Sequence, residues 1–409
     1  MVFTDFSSNI TSSQVRKSLK YILNPFNWSK LYSGKETKKL KEKLNNKIGS
    51  KSCFLLDSGR SAIYLALESS SISKGDEVIV PAYTCSVVIN AVRWTGAKPV
   101  LVDINDNFNI NPSKIKEKIT DNTKAIVAHH TFGSPLKVKE IKKIAEENKL
   151  LFIEDCAHGL GGKIDGEEVG SFGDISIFSF GANKVISSVR GGAICINDVD
   201  KAQELSSNVN NLDNFPVSKV LKYILHSILF HLGRGLYSIY FGKLLFKLFK
   251  TVNLLPMVIS KAEKKGKKPG WTPAVLPNVL ADFALNQFNQ LDSFNNHRKK
   301  ISEIYRNKLP DKILPEPIKN NKRIVDFKFP ILVDEPYKLH KEALNKGFQL
   351  SLSWTGSSVV PTDSLPNFCY NKKTKGEKTS QKILLLPTNI NISKNEAKEL
   401  SDLISKNYS

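Results

Sequence analysis

Three short stretches carry residue types that can do chemistry together. Asp57-Ser58-Gly59-Arg60-Ser61-Ala62 lies where an apolar run gives way to a helical pattern. Free backbone N–H groups at such a helix start form an anion cradle, and a glycine there lets a phosphate approach closely; taken alone, the same residues are an ordinary serine cap. Leu151-Phe152-Ile153-Glu154-Asp155-Cys156-Ala157-His158-Gly159 is an apolar run that delivers a carboxylate to its end. There an acid can ligate a metal, act as a base or pair with a protonated ring nitrogen, or simply cap a turn. Asp174-Ile175-Ser176-Ile177-Phe178-Ser179-Phe180-Gly181-Ala182-Asn183-Lys184 then offers a hydroxyl and a lysine ahead of Gly191-Gly192. A lysine held among apolar residues at the mouth of a site can stay unprotonated and form a Schiff base. A lone lysine after a strand is ordinarily a solvated charge, but a cradle, an acid, a hydroxyl and a lysine in succession form a set.

Those parts need a scaffold, and the sequence supplies one. Short apolar runs at 53–56, 77–80, 99–104, 125–128, 150–153, 175–180 and 193–196 read as strands. Helical patterns at 61–69, 86–95, 112–119 and 137–148 alternate with them, punctuated by Gly, Asp, Asn and Ser. Alternation of this kind predicts an α/β fold: a mainly parallel seven-stranded sheet covered on both faces, with ligands at the C-terminal ends of strands. Helical patterning returns at 280–309, a strand is expected at 323–333, and 310–409 reads as part of a smaller α+β domain. The expected organisation is a basic amphipathic N-terminal arm (1–33), a large domain (34–211), a basic apolar insert (212–270) and a C-terminal α+β domain (271–409).

Further stations extend the set: Gly75-Asp76-Glu77-Val78-Ile79-Val80-Pro81, Gly96-Ala97-Lys98-Pro99-Val100, His130 with Gly133, and Gly191-Gly192-Ala193. Together with Ser58-Gly59, Glu154-Asp155-Cys156-Ala157-His158, Phe178-Ser179-Phe180 and Lys184, they make the chain resemble the DegT/StrS family of sugar aminotransferases. These are fold-type I enzymes that use pyridoxal phosphate (PLP). The resemblance runs from about 34 to 200 and resumes more weakly from about 280. It implies that Lys184 joins the cofactor as a Schiff base and then shuttles a proton, and that Asp155 pairs with the pyridine nitrogen so that the ring accepts electrons. Ser179 and the backbone of Ser58, Gly59, Arg60 and Ser61 would hold the phosphate. His158 would lie against the ring, and His130 would support Asp155 or the ring hydroxyl, the alternative for both histidines being satisfied core residues. The family implies a homodimer too.

Three positions depart from the family pattern. Cys85 stands where an aromatic residue usually stacks on the ring, a role that Tyr83 is expected to take over. Arg190 replaces the glutamate that usually precedes the Gly-Gly pair. Pro273-Ala274-Val275 aligns with an Asn-x-Arg segment that reaches a neighbouring subunit's cofactor phosphate, and offers no cation. Arg60, in the cradle, can restore that charge from within the chain.

The 409 residues include 60 Lys+Arg against 39 Asp+Glu, a formal net charge of +21, with 41% hydrophobic residues. Such a chain folds into a sizeable core, which excludes disorder. Cys53, Cys85, Cys156, Cys195 and Cys369 form no C-x-x-C pair and have no histidine at ligand spacing, so neither a disulfide framework nor a metal site is expected, and a reducing cytoplasm fits. The first ten residues include Asp5 and no apolar run, so no signal peptide is expected. Most of the charge is local: residues 1–51 hold 11 basic and three acidic side chains, and residues 219–268 hold 11 basic and one acidic, leaving only +3 elsewhere.

Both stretches are amphipathic, and Leu-Lys-Tyr-Ile-Leu recurs at 19–23 and 221–225. Basic segments rich in Leu, Ile, Phe and Tyr fit an anionic membrane surface, through 16–28 and 217–268, on the inner face of the cell membrane; the alternative is packing on the protein or in the dimer. The longest run there without Lys or Arg, 223–233, is too short to span a bilayer. No nucleic acid is expected, because no nucleic-acid-binding signature is present and the basic segments are too aliphatic. The resemblance implies transamination of a keto-sugar, nucleotide-linked, with an amino-acid donor such as glutamate, for surface polysaccharide. The alternatives are the same reaction on a lipid-linked or membrane-embedded keto substrate, and a non-catalytic regulatory or scaffold homologue, which would have no need of both Lys184 and Asp155.

Overall fold

The structure, a computed structural model, describes residues 1–5, 9–237, 241–252, 254–255, 257–320, 323–365 and 373–408. Seven strands form its central sheet: β1 (Ser52–Leu56), β2 (Glu77–Pro81), β3 (Lys98–Val102), β4 (Thr123–His129), β5 (Leu151–Asp155), β6 (Ile175–Ser179) and β7 (Gly192–Ile196). Their order across the sheet is β1-β7-β6-β5-β4-β2-β3. Neighbouring pairs among β2 to β6 run parallel, whereas β7 runs antiparallel to both β1 and β6. The apolar runs read from the sequence are these strands, because a sheet covered on both faces buries both side-chain rows and needs no polar alternation. One apolar cluster, including Val78, Val80, Val127, Ile153 and Ile177, lies on one face, and another, including Ile79, Ile126 and Phe152, lies on the other.

Helices Gly59–Glu68, Ser86–Trp94 and Val138–Glu147 follow the helical patterns. The pattern at 280–309 folds as two helices, Asn278–Phe288 and Leu291–Lys308. Only Phe329–Leu332 of the expected 323–333 strand forms one, pairing antiparallel with Ile383–Leu386. The residues before it leave the sheet because the N–H groups of Ile324 and Val325 turn to the Gly133 carbonyl instead. Phe329, Ile331, Leu384 and Leu386 build a separate apolar cluster with Ile301, Leu339 and Leu400. The chain start joins this region, since Val2–Phe3 pairs with Phe348–Gln349.

One correction concerns the cysteines. Cys53 and Cys195 are joined by a disulfide, against the expectation of none. They lie 142 residues apart in sequence, and only the antiparallel register of β7 on β1 sets them opposite each other. Cys369 lies outside the described residues. The first part of the insert packs on the protein: α3 (Val217–Gly235) buries Val220, Tyr223, Ile224, Ser227 and Phe230. It lies antiparallel to α1 (Ser12–Leu23), because the Gln14 amide donates to Ser227 Oγ at 2.9 Å while Tyr32 donates to the Phe215 carbonyl at 2.5 Å. The next helix, α4 (Phe241–Thr251), buries only Gly242.

Candidate functional site

The C-terminal ends of β1, β5 and β6 open on a cavity of about 780 Å³. Gly59–Glu68 begins at its floor, with Ser58 as N-cap accepting from the Ser61 N–H at 3.3 Å. Beneath this start runs β7, and only a glycine fits there: a Cβ on Gly192 would lie 2.4 Å from the Ser58 carbonyl carbon and 2.5 Å from the Gly59 nitrogen. Ser58, Gly59, Arg60, Cys85, Asp155, His158, Ser179 and Lys184 all line the cavity. Positions up to 126 residues apart in sequence, from 58 to 184, are thus brought to one hollow by the strand order.

Lys184 sits in a tight turn, its N–H donating to the Gly181 carbonyl at 3.0 Å. Asn9 Nδ2 holds the Lys184 carbonyl at 2.5 Å, and the buried Arg298 guanidinium donates to the Val185 carbonyl at 2.6 Å. Burial lowers the Lys184 pKa from its ordinary value, and the negative Asp155 opposes that shift in part. The amine lies 3.0 Å from His158 Nε2. His158 is itself pushed well below the usual histidine range, first by burial and then by the charge of Lys184, so its ring is neutral. His158 Nδ1 accepts the Phe132 N–H at 3.3 Å, which places the ring proton on Nε2. Nε2–H therefore points at Nζ across 3.0 Å, a contact that becomes a hydrogen bond when the amine is the free base, because only then does Nζ have a lone pair to accept with.

Asp155 ends β5 and accepts the Ala157 N–H at 3.0 Å. In the β4–β5 register its neighbour is His129, and not the expected His130. His129 lines the cavity, bonded to the Thr131 hydroxyl at 2.7 Å and to the Tyr83 carbonyl at 3.2 Å. Burial, opposed by Asp155, lowers the His129 pKa to about 4. His130 turns into the interior and meets Glu154 at 3.0 Å, while the Glu154 carboxylate also takes the N–H groups of Gly170, Phe172 and Gly173. His130 is therefore part of a buried turn clamp rather than of the site. Adjacent residues at a strand end point to opposite sides, and the strand parity that brings Asp155 to the cavity was the signal that selects His129.

The other expectations divide similarly. Ser61 does not line the cavity; its hydroxyl bonds Ser58 at 3.0 Å and Thr272 at 2.7 Å. Tyr83 does not replace the missing stacking aromatic, because it is fully buried with its hydroxyl on the Trp354 carbonyl at 2.8 Å. Beside Cys85 the cavity has instead Trp354, and Phe327 stacked on the His158 ring at 4.6 Å between centroids. Arg60 faces the cavity, but its guanidinium pairs with Glu263 of the insert and donates to the Val258 carbonyl at 2.7 Å. Arg190 pairs with the buried Asp57 at 2.7 Å and lies over the Trp271 ring at 4.5 Å. Met257, Val258 and Ile259 of the insert form part of the wall, so the insert is built into the site. Lys328, ion-paired with Asp5, also lines the cavity, as do Lys261 and Lys264 of the insert, and the sequence singled out none of the three.

A helix N-terminus flanked by Ser58 and Ser179, a carboxylate on a strand end and a buried amine of lowered pKa fit PLP: an anion cradle, a partner for a ring nitrogen and a nucleophile in one hollow. The family model DegT/DnrJ/EryC1/StrS aminotransferase family matches residues 13–224. A GDP-perosamine synthase of Escherichia coli O157:H7 is 44% identical over 144 residues, 35% of this chain and 40% of the relative. A dTDP-3-amino-3,6-dideoxy-alpha-D-galactopyranose transaminase of Aneurinibacillus thermoaerophilus is 40% identical over 175 residues, 42% of this chain and 48% of the relative. The chain thus spans less than half the length of these curated relatives. Two solved structures share the fold over nearly the whole chain. The aminotransferase TlmJ from Streptoalloteichus hindustanus has a TM-score of 0.75 at 18% identity, covering 100% of this chain and 99% of its own. The aminotransferase PseC of Helicobacter pylori, involved in the biosynthesis of pseudoaminic acid, has a TM-score of 0.72 at 17% identity, covering 98% of each chain.

Proposed function

Because the chain belongs to the DegT/DnrJ/EryC1/StrS aminotransferase family, we propose that it is a PLP-dependent aminotransferase. Its reaction converts the keto group of a nucleotide-linked sugar to an amine, with an amino acid such as glutamate as donor, for surface polysaccharide. The observation that carries this reading is the meeting of Lys184, Asp155 and the Ser58-Gly59 helix start in one cavity. PLP, when bound, supplies an electron sink that stabilises a carbanion at the substrate carbon.

Each side chain then has a task. The Lys184 amine, its pKa lowered by burial and its free base favoured by the His158 Nε2–H, serves as nucleophile and as the group that carries a proton to and from the reacting carbon. Asp155 would pair with the ring nitrogen and keep a proton on it. Ser58, Ser179 and the Gly59 N–H would hold the phosphate, and Arg60, paired with Glu263, would add a cation from the same chain. Trp354 and Phe327 give the cavity an apolar wall. A homodimer, as the resemblance implies, is the proposed assembly, with a native mass of about twice the 45.7 kDa of the chain.

A second reading keeps the chemistry and changes the carrier. Met257 and Val258 line the cavity and are half exposed at its insert side, which favours a keto-sugar carried on a lipid. Purified protein loaded with PLP is expected to be yellow, and Lys184→Ala to lose the visible absorbance. A panel of keto-sugar nucleotides and detergent-extracted lipid-linked glycans, assayed with glutamate for 2-oxoglutarate release, separates the two carriers. Protein that takes up no PLP defeats both readings and leaves the non-catalytic one.

A further inference from the structure

The insert carries an apolar face that stays exposed among the described residues. In α4, Phe241, Leu244 and Leu248 recur at three- and four-residue spacing, so they share one side of the helix, and Val252 continues the row. All four are exposed, Leu244 to 61%. A different side, Gly242 and Phe246, makes the contact with the body. A Cβ on Gly233 of α3 would lie 2.7 Å from the Phe246 ring, and one on Gly242 would lie 2.1 Å from the Gly233 carbonyl oxygen. Lys243, Lys247 and Lys250 form a third, exposed side. The helix is therefore anchored by one stripe, with an apolar stripe and a lysine stripe left facing outward.

The same pairing of apolar and basic side chains recurs at the far end of α3. Because α1 and α3 are antiparallel, Leu23, Phe26 and Trp28 come to the end of α3 that carries Val217 and Leu221. Leu23 is 74% exposed and Phe26 87%. Exposed apolar groups thus stand at both ends of one helix pair, and the charge of the two segments is predominantly positive: 11 basic against one acidic side chain over 219–268, and 11 against three over 1–51. The lone acidic residue of 219–268, Glu263, is buried on Arg60 and does not offset the exterior charge. Among the described residues no helix is long and apolar enough to cross a membrane.

We propose that α4, with the Leu23–Trp28 and Val217–Leu221 edge, docks on the surface of an anionic phospholipid bilayer, apolar side chains entering between headgroups and lysines meeting lipid phosphates. Charge complementarity selects this occupant. A partner must offer an apolar layer directly beneath dense negative charge, over a face that joins two helix ends, and a bilayer interface has that construction. Docking there would hold the Met257–Val258 wall of the cavity close to the lipid.

The test uses the full-length protein floated with vesicles of phosphatidylcholine alone or of phosphatidylcholine with phosphatidylglycerol. Expected is at least about tenfold stronger partitioning onto the anionic vesicles, falling as salt screens the headgroups. Leu244→Glu/Leu248→Glu, at two exposed positions, is expected to reduce partitioning about tenfold while circular dichroism and melting stay as in the wild type. Lys243→Gln/Lys247→Gln/Lys250→Gln provides an independent variant that keeps the apolar stripe and should lose the preference for anionic vesicles. Equal partitioning on both vesicle types overturns the proposal. So does a Leu244→Glu/Leu248→Glu protein that floats unchanged, or one whose only change in light scattering is from dimer to monomer, which would assign the face to a second copy of the chain.

Discussion

Replacing His158 by Phe separates what the imidazole does for Lys184 from what it does for packing. The ring lies between Phe327, at 4.6 Å, and Phe132, at 6.2 Å and nearly parallel. A phenyl ring can occupy the same stack, so the apolar wall is retained while both ring nitrogens are lost. The loss that matters to chemistry is the Nε2–H that donates to Nζ across 3.0 Å. An ammonium has no lone pair to accept that proton, so the bond favours the neutral amine alone. One such bond contributes about 1 kcal/mol net, which is roughly a fivefold change in the ratio of neutral to protonated lysine. His158→Phe is therefore expected to leave about fivefold fewer reactive amines at any pH below the lysine's titration. Its pH profile should move to the alkaline side. The assay is labelling of the PLP-free protein with an amine reagent that attacks only the free base, followed across pH by mass spectrometry of the Lys184 peptide. His158→Gln, which can still donate from its amide, should recover part of the difference. A labelling profile unchanged in His158→Phe, or displaced to the acid side, would refute the argument that this imidazole sets the lysine's charge. The Phe132 N–H loses its acceptor in the same variant, so a lower melting temperature is expected and is measured separately.

Two more predictions follow from the buried ion pairs. Arg60→Ala is expected to raise the PLP dissociation constant about tenfold, because a charge-assisted hydrogen bond contributes roughly 1.5–3 kcal/mol; unchanged affinity would mean that Arg60 serves only to tie Glu263 and the insert to the cradle helix. Glu154 feels burial, which raises its pKa, but the bonds from His130 and from the Gly170 and Gly173 N–H groups outweigh it and leave the folded value lowered. A depressed carboxylate contributes stability above its unfolded pKa and loses it as pH falls through the folded one. The stability gap between wild type and Glu154→Gln, from urea unfolding, should thus shrink steadily from about pH 6 to about pH 3; a constant gap over that range would sink the assignment.

Much of the large domain was legible because a sheet buried on both faces writes its strands as apolar runs, and all seven runs became strands. The carboxylate and the lysine were legible for the same reason: strand ends at Asp155 and Ser179 lead directly into the hollow. What escaped is what depends on contacts between distant segments. His130 and His129 differ by one residue, and register on β5 decides which enters the cavity. Asn9 and Arg298 hold the Lys184 turn from 175 and 113 residues away, measured to the carbonyls of Lys184 and Val185, with no local pattern to announce them. Glu263 is the lone acid of the basic stretch 219–268, and its salt bridge to Arg60 exists only because the insert folds back over the cradle.

The bond between Cys53 and Cys195 has a topological result. Its two ends lie on β1 and β7, the first and last strands of the sheet in chain order, so the polypeptide between them becomes a closed ring. Ser58, Gly59, Asp155, His158, Ser179 and Lys184 all fall inside that ring. A single protease cut anywhere between residues 54 and 194 would open the ring without dividing the molecule. A nicked preparation should then run as one species until thiol is added, and as two pieces afterwards.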